Sequence, residues 1–352
     1  MKILYGVPGE GMGHATRSKV AISHLIKNHD VRVVSSSRAF SFLHNAFHKR
    51  VHEIQGFHLA FKNSSISKFN TVKNILKSGP SDLVKNFRSY KKIYEDFKPD
   101  LVITDFESFS YFVAKLHDIP IISIDNNQAI NRLILDIPIS ESENNNYVIT
   151  KNIVKSKVPK CNYYLISSFF PAEIRKKKTE IIPPILREDI IKAKASKENH
   201  ILVYLTSSSQ ESIIKMLNQL KHDQFLVYGF NKSEHHGNVT LMPFSETDFI
   251  NNLASAKAVI ANGGYSLISE AIYLKKPIFS VPLKNQFEQY INAAYIEKLG
   301  YGKFHPEFAS NPLKSFLYDL DTFEENLSAY KQNGNVVFFK KLDETIAKVI
   351  TS

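Results

Sequence analysis

Apolar residues recur along this chain as short runs, separated by stretches in which they return at helical spacing. Runs of strand length occupy residues 3–7, 31–35, 101–104, 119–124 and 163–167. Between the first two, residues 16–27 bring Val20, Ile22, Leu25 and Ile26 onto one helical face. Residues 82–97 do the same with Leu83, Phe87, Tyr90, Tyr94 and Phe97. The rhythm breaks over 173–198, where the basic run Arg175-Lys176-Lys177-Lys178 precedes Pro183-Pro184. It restarts with runs at 201–205, 225–228, 239–242, 258–261 and 278–281, and ends in a helical tail over 336–350. Repeated strand–helix alternation predicts a mostly parallel, doubly wound sheet, and the restart predicts two. The expected class is therefore α/β. Its divisions are a first domain over 1–172, a linker over 173–198, a second domain over 199–334, and a terminal helix over 335–352 packed back on the first.

Ligands of open parallel sheets sit beyond the carboxyl ends of the strands, which singles out loops 8–17, 104–108, 206–209 and 262–270. The first holds Gly9-Glu10-Gly11-Met12-Gly13-His14, whose glycines let backbone approach a bulky ligand before a helix N-terminus. His14 replaces the third glycine of a dinucleotide fingerprint. The acid expected at the next strand end is absent too, where Ser35-Ser36-Ser37-Arg38 stands. That sequence suits a 2′-phosphate and keeps an NADP dehydrogenase as a minor reading. No Gly-Lys-Ser/Thr closes the loop, so it is not a P-loop. His14 is either a general base at the ligand edge or a packing residue. Asp105, directly after an apolar strand, either orients that imidazole or caps the helix beginning near Ser108.

The loop Asn262-Gly263-Gly264-Tyr265-Ser266 offers free N–H groups and a helix N-terminus to a diphosphate. Glu270, deeper in that helix, suits a ribose diol better than an idle surface position. Glu288-Gln289 supplies the acid and amide that read sugar hydroxyls.

Composition narrows the reading further. One cysteine, Cys161, excludes a disulfide framework and points to a reducing cytoplasm. No apolar run is long enough to span a bilayer. The net charge of +11 is spread along the chain without a zinc-finger or RRM motif, so nucleic acid is not an expected partner. Residues 62–98 and Arg175–Lys178 are local basic concentrations. The first suggests peripheral contact with an anionic membrane face or a lipid-diphosphate acceptor. Asp319-Leu320-Asp321 lies in a late helical region and is not expected to hold a metal.

Taken in order, these motifs resemble the UDP-glycosyltransferases and the N-acetylglucosaminyltransferase that completes the peptidoglycan lipid precursor. The combination is most similar to a bacterial and archaeal glycosyltransferase-like branch of unknown substrate. The resemblance implies a GT-B fold, with two Rossmann-like domains facing across a cleft. It further implies inverting, metal-free transfer from a UDP-sugar, with no cofactor beyond that donor. On the matching positions, His14 would be the base and Asp105 its partner, with Glu10 as the alternative base. Gly11, Gly13, Ser207, Ser208, Ser209, Asn262, Gly263, Gly264, Tyr265, Ser266, Glu270, Glu288 and Gln289 would line the donor, and the Phe244 backbone would hold the nucleobase. Asn262 departs from the histidine of many relatives, and the tryptophans of the plant signature are absent. The acceptor stays open between a lipid-linked sugar and a polysaccharide. A non-hydrolysing UDP-sugar epimerase and a non-catalytic membrane-surface protein are the rival readings.

Overall fold

A computed structural model describes residues 1–9, 11–54, 61–62, 65–66, 91, 93–205 and 209–351. The chain divides into two compact units. One comprises Met1–Leu135, Val148–Ile185 and Asn335–Ser352; the other comprises Asp136–Tyr147 and Leu186–Gly334.

The first unit is built on a seven-stranded parallel sheet. Its strands are β1 (Lys2–Gly6), β2 (Asp30–Ser35), β3 (Val51–Glu53), β4 (Leu101–Thr104), β5 (Ile121–Asp125), β6 (Tyr163–Ser167) and β7 (Thr179–Ile182). They lie in the order β7-β6-β5-β4-β1-β2-β3. Helix α1 (Met12–Leu25) follows β1, and α2 (Ser108–Leu116) follows β4. Strands β1 and β4 are apolar throughout their middles because both faces are covered, as a parallel sheet requires. After β1 the chain winds one way to β2 and β3, then returns to place β4 on β1's other side. The β1/β4 seam is thus a topological switch point.

The second unit repeats the design with β8 (His200–Tyr204), β9 (Gln224–Tyr228), β10 (Glu234–His236), β11 (Val239–Leu241), β12 (Ala258–Ala261), β13 (Ile278–Ser280) and β14 (Gly302–Phe304). The order is β10-β11-β9-β8-β12-β13-β14, parallel except for β10 at the edge. Its switch point falls between β8 and β12.

Three expectations are corrected. Residues 173–198 are not a free linker: β7 within them is the edge strand of the first sheet, and the second unit already begins at Leu186. The short Thr-Glu-Ile-Ile strand was hidden behind the basic run. Residues 136–147 belong to the second unit although they precede strand β6 of the first. Helix α3 (Glu141–Lys157), which begins there, ends in the first unit. Helix α1 also starts four residues earlier than its apolar spacing predicts, so Gly13 and His14 lie inside its first turn. The helix expected over 82–97 falls largely outside the described residues.

The terminal helix, Val336–Ile350, belongs to the first unit. Phe338, Leu342, Ile346 and Val349 join its main apolar cluster, and Phe339 stacks on His24 at 4.3 Å.

Candidate functional site

Each switch point carries a polar cluster. In the first unit, β1 ends at Gly6, where a side chain would collide with Ser110 of α2. Gly11 then turns the chain with φ +84, and α1 begins at once. His14 in its first turn keeps 21% of its side chain accessible, while Arg17 and Ser18 point into the protein. Asp105, just past β4 and fully buried, meets all three. Its Oδ1 lies 3.0 Å from His14 Nδ1 and accepts from Arg17 Nη2 at 2.5 Å. Its Oδ2 accepts from Arg17 Nε at 2.8 Å and from Ser18 Oγ at 3.0 Å. Asn126, after β5, accepts from Arg17 Nη1 at 2.5 Å. Burial alone would raise the Asp105 carboxyl. The Arg17 guanidinium and His14 outweigh it and hold the group well below the usual carboxylate range.

The capping role considered for Asp105 belongs to another residue. Glu107 caps α2, accepting from Phe109 N at 2.6 Å and Ser110 N at 2.7 Å. That leaves Asp105 committed to the histidine and the arginine.

Arg17 adds a constraint that no sequence motif announces. Its Nη2 is 2.7 Å from His14 Nδ1 as well as 2.5 Å from Asp105 Oδ1. A guanidinium nitrogen only donates, so a bond to Nδ1 requires that nitrogen bare and the imidazole proton on Nε2. Nη2 carries two hydrogens and can serve Asp105 in either case; with Nδ1–H directed at Asp105 Oδ1 instead, Nε2 is the free base. The carboxylate's negative charge favours the second arrangement, because it attracts both donors.

In the second unit, the loop after β12 opens with Asn262, whose buried side chain donates to Val281 O at 2.9 Å. Gly263 adopts φ +94 and passes so close to β13 and the next helix that a Cβ would lie 2.9 Å from the Gln289 carbonyl. Asn292, which sequence reasoning did not single out, donates to Gly263 O at 2.9 Å and fixes the turn. Gly264 caps helix α4 (Tyr265–Tyr273) without a side-chain acceptor, and a Cβ there would meet nothing within 4 Å. The first turn of the helix thus has no side-chain cap, and helix N-termini left so are where anions are received. Tyr265 is buried and Ser266 half-buried in that turn.

Glu270 is buried on α4 and gripped by Arg187, which sequence reasoning also missed. Arg187 Nε and Nη2 donate to its Oε1 and Oε2 at 2.7 and 2.6 Å, and Nη1 donates to Glu246 at 2.9 Å. Burial would lower the guanidinium's pKa, but the two carboxylates overcome it and raise it. Glu288 and Gln289 sit in the first turn of α5 (Phe287–Lys298), where Gln289 Oε1 accepts from Leu283 N at 2.9 Å. Phe244 is 85% exposed, and its N–H already donates to Asn231 Oδ1 at 2.8 Å. Ser209 caps the helix Gln210–Leu217. Ser207, Ser208 and Glu10 lie outside the described residues.

Comparison with known proteins identifies the type. Residues 1–321 match the family model described as glycosyl transferase family 1. An uncharacterized glycosyltransferase of Methanosarcina mazei is 25% identical over 339 residues, covering 86% of this chain and 85% of that one. A UDP-N-acetylglucosamine–N-acetylmuramyl-(pentapeptide) pyrophosphoryl-undecaprenol N-acetylglucosamine transferase of Bacillus cereus is 32% identical over 110 residues, covering 30% of this chain and 29% of that one. The solved glycotransferase of kitacinnamycin superposes with a TM-score of 0.66 at 15% identity, covering 98% of each chain. The fold is GT-B.

Proposed function

The chain belongs to glycosyl transferase family 1, and on that premise we propose that it moves a sugar from a UDP-sugar to an acceptor hydroxyl with inversion and without a metal. The observation that carries this reading is the partly accessible His14 backed by a buried, ionised Asp105. In the proposed reaction His14 Nε2 takes the acceptor's hydroxyl proton while Asp105 holds Nδ1–H. The acceptor oxygen bonds to the anomeric carbon as the bond from that carbon to the diphosphate oxygen breaks. The electron pair leaves with the diphosphate, whose growing charge is met by the N–H groups after Gly264. Preorganised dipoles of this kind do the work a cation does elsewhere. A UDP-sugar is favoured because the Bacillus cereus relative's name carries UDP-N-acetylglucosamine. Glu270 then accepts from the ribose through lone pairs that Arg187 leaves open, since each carboxylate oxygen offers two.

The test is single-turnover kinetics with a panel of UDP-sugars and acceptors. His14→Ala should slow transfer at least about 10²-fold, the lower range for a positioned base, with donor affinity nearly intact. Excess chelator should leave the wild-type rate unchanged. Wild-type turnover in folded His14→Ala protein removes the mechanism. Conversion of donor without any acceptor reassigns the chain to epimerisation.

A further inference from the structure

We propose that the basic segment after Ile174 and the short helix Ala129–Arg132 together form an anion site suited to a phosphate or diphosphate ester. The ladder pairing Leu133–Ile134 with Glu173–Ile174 brings the two segments together, and just beyond it Arg175 N donates to Arg132 O at 2.9 Å. Asn131 then fixes two cations at once. Its backbone oxygen accepts from Arg175 Nη2 at 2.6 Å and its Oδ1 from Lys176 Nζ at 2.5 Å. Arg132 is buried, with its guanidinium 3.6 Å from the centre of the Tyr164 ring. Its Nε donates to Thr179 Oγ1 at 2.7 Å and its Nη2 to Lys177 O at 2.6 Å. Three neighbouring cations are thus held in place by neutral oxygens.

A carboxylate is what this cluster lacks. Among the described residues no ion pair engages Arg132, Arg175, Lys176 or Lys155, and Glu180, the next acid along the chain, is taken by Lys341 at 2.6 Å. Burial lowers the pKa of Lys176, and the charges of Arg132, Arg175, Lys155 and Lys151 lower it further. Burial lowers that of Arg132 too. Cations crowded in this way cost free energy that an arriving anion removes.

The donors decide the ligand. Arg175 and Lys176 each commit one N–H to Asn131, whereas a guanidinium offers five and an ammonium three. A carboxylate brings one charge and a flat pair of oxygens. A phosphate ester brings about two charges and three acceptor oxygens spread around its centre, which suits a fork and a point charge arriving from different residues. None of these residues takes part in the transfer chemistry proposed for His14, so the site stands apart from that reading.

The experiment is thermal unfolding of the full chain with inorganic phosphate or diphosphate, against sodium chloride of equal ionic strength. Both anions should raise the melting temperature beyond chloride, diphosphate the more. Lys155 is exposed, so Lys155→Glu should fold normally while supplying the missing carboxylate. It should melt higher than wild type without ligand and bind diphosphate at least about fivefold more weakly, the worth of one unit charge at a surface. Arg175→Gln/Lys176→Gln should reduce the diphosphate shift further. Co-sedimentation with phosphatidylglycerol vesicles that Lys155→Glu abolishes assigns the phosphate to a lipid head group; a diphosphate shift without co-sedimentation assigns it to a soluble ester. Two outcomes overturn the proposal. One is no wild-type shift beyond that of chloride. The other is an equal shift in wild type and both variants, which places the anion elsewhere, as at the helix terminus after Gly264.

Discussion

Both units bury a carboxylate against an arginine through the same two nitrogens, yet the surroundings make the pairs different instruments. Arg17 reaches Asp105 through Nε and Nη2 at 2.8 and 2.5 Å; Arg187 reaches Glu270 through the same atoms at 2.7 and 2.6 Å. Around Asp105 every further contact is a protein donor, His14 and Ser18, so the carboxylate's capacity is spent inside the molecule. Around Glu270 the arginine is the sole protein donor among the described residues, and it shares itself with Glu246. One pair is closed and sets the state of a neighbouring imidazole. The other is left with acceptor capacity at the edge where a nucleotide is expected. A fork-shaped ion pair thus tells little about role until the remaining lone pairs are counted.

The largest effect that sharpens this contrast is expected at Arg17. Arg17→Ala leaves Asp105 charged and buried with no guanidinium, a change that costs about 3–5 kcal/mol in comparable buried pairs. Urea denaturation measures it. Arg17→Lys restores a charge without the fork, so it should recover part of the stability. It should still transfer sugar slowly, and its pH–rate profile should move, because the imidazole's orientation and proton are no longer set. If Arg17→Lys regains stability and keeps both rate and profile, Arg17 is only a structural counterion.

Next in size is the open pair. Glu270→Gln keeps the shape and removes the charge, and Arg187 retains Glu246. It should lower affinity for UDP by about 1.5–3 kcal/mol, the scale of a hydrogen bond to a charged group, with a smaller loss of stability. Calorimetry with UDP reads the first and thermal melting the second. Unchanged affinity ends the ribose assignment and leaves Glu270 as a structural partner of Arg187.

Most of the frame was legible from residue pattern alone. Strands at 101–104, 163–167 and 258–261 fall where the apolar runs place them, because buried parallel strands are unbroken runs. Strands β3, β10 and β14 were not found, since three residues at a sheet edge carry too little pattern. Arg17 had a faint signal, lying three residues after His14 on one helix and so on its face. Arg187 had none. It follows a proline pair in what reads as a linker, and its partner is 83 residues away. Asn126 and Asn292 were likewise invisible, because a buried amide is recognised by what it touches.

Acid titration separates the closed pair by sign. The Asp105 carboxyl is held below its ordinary range in the folded chain, whereas an unfolded aspartate titrates near 3.9. Between those values the unfolded chain binds more protons, so stability falls as pH drops through the window. The contribution is complete above about pH 4 and disappears below it. Urea midpoints for wild type should therefore decline more steeply on acidification than those of Asp105→Asn, which starts lower. Parallel declines would mean the carboxylate is not held by Arg17 and His14 in solution.

The smallest expected effect on stability is at Gly264, and its contrast with the adjacent Gly263 separates binding from folding. Gly263 has φ +94 and no room, since a Cβ would press on the Gln289 carbonyl at 2.9 Å. Gly263→Ala should therefore destabilise the second unit whatever the ligand does. Gly264 has φ −63 and open space, so Gly264→Ala is tolerated by the backbone and should change stability by about 0.4–1 kcal/mol, in the favourable direction. The added methyl stands in the space before the helix N–H groups, where the diphosphate is proposed to lie. UDP should then protect Gly264→Ala less from thermal unfolding than it protects wild type, because stabilisation by a ligand follows its affinity. A raised melting temperature with the UDP-induced shift intact would place the diphosphate away from this helix terminus. Loss of that shift in a protein at least as stable as wild type would show the second glycine is small for the sake of the ligand, where the first is small for the sake of the fold.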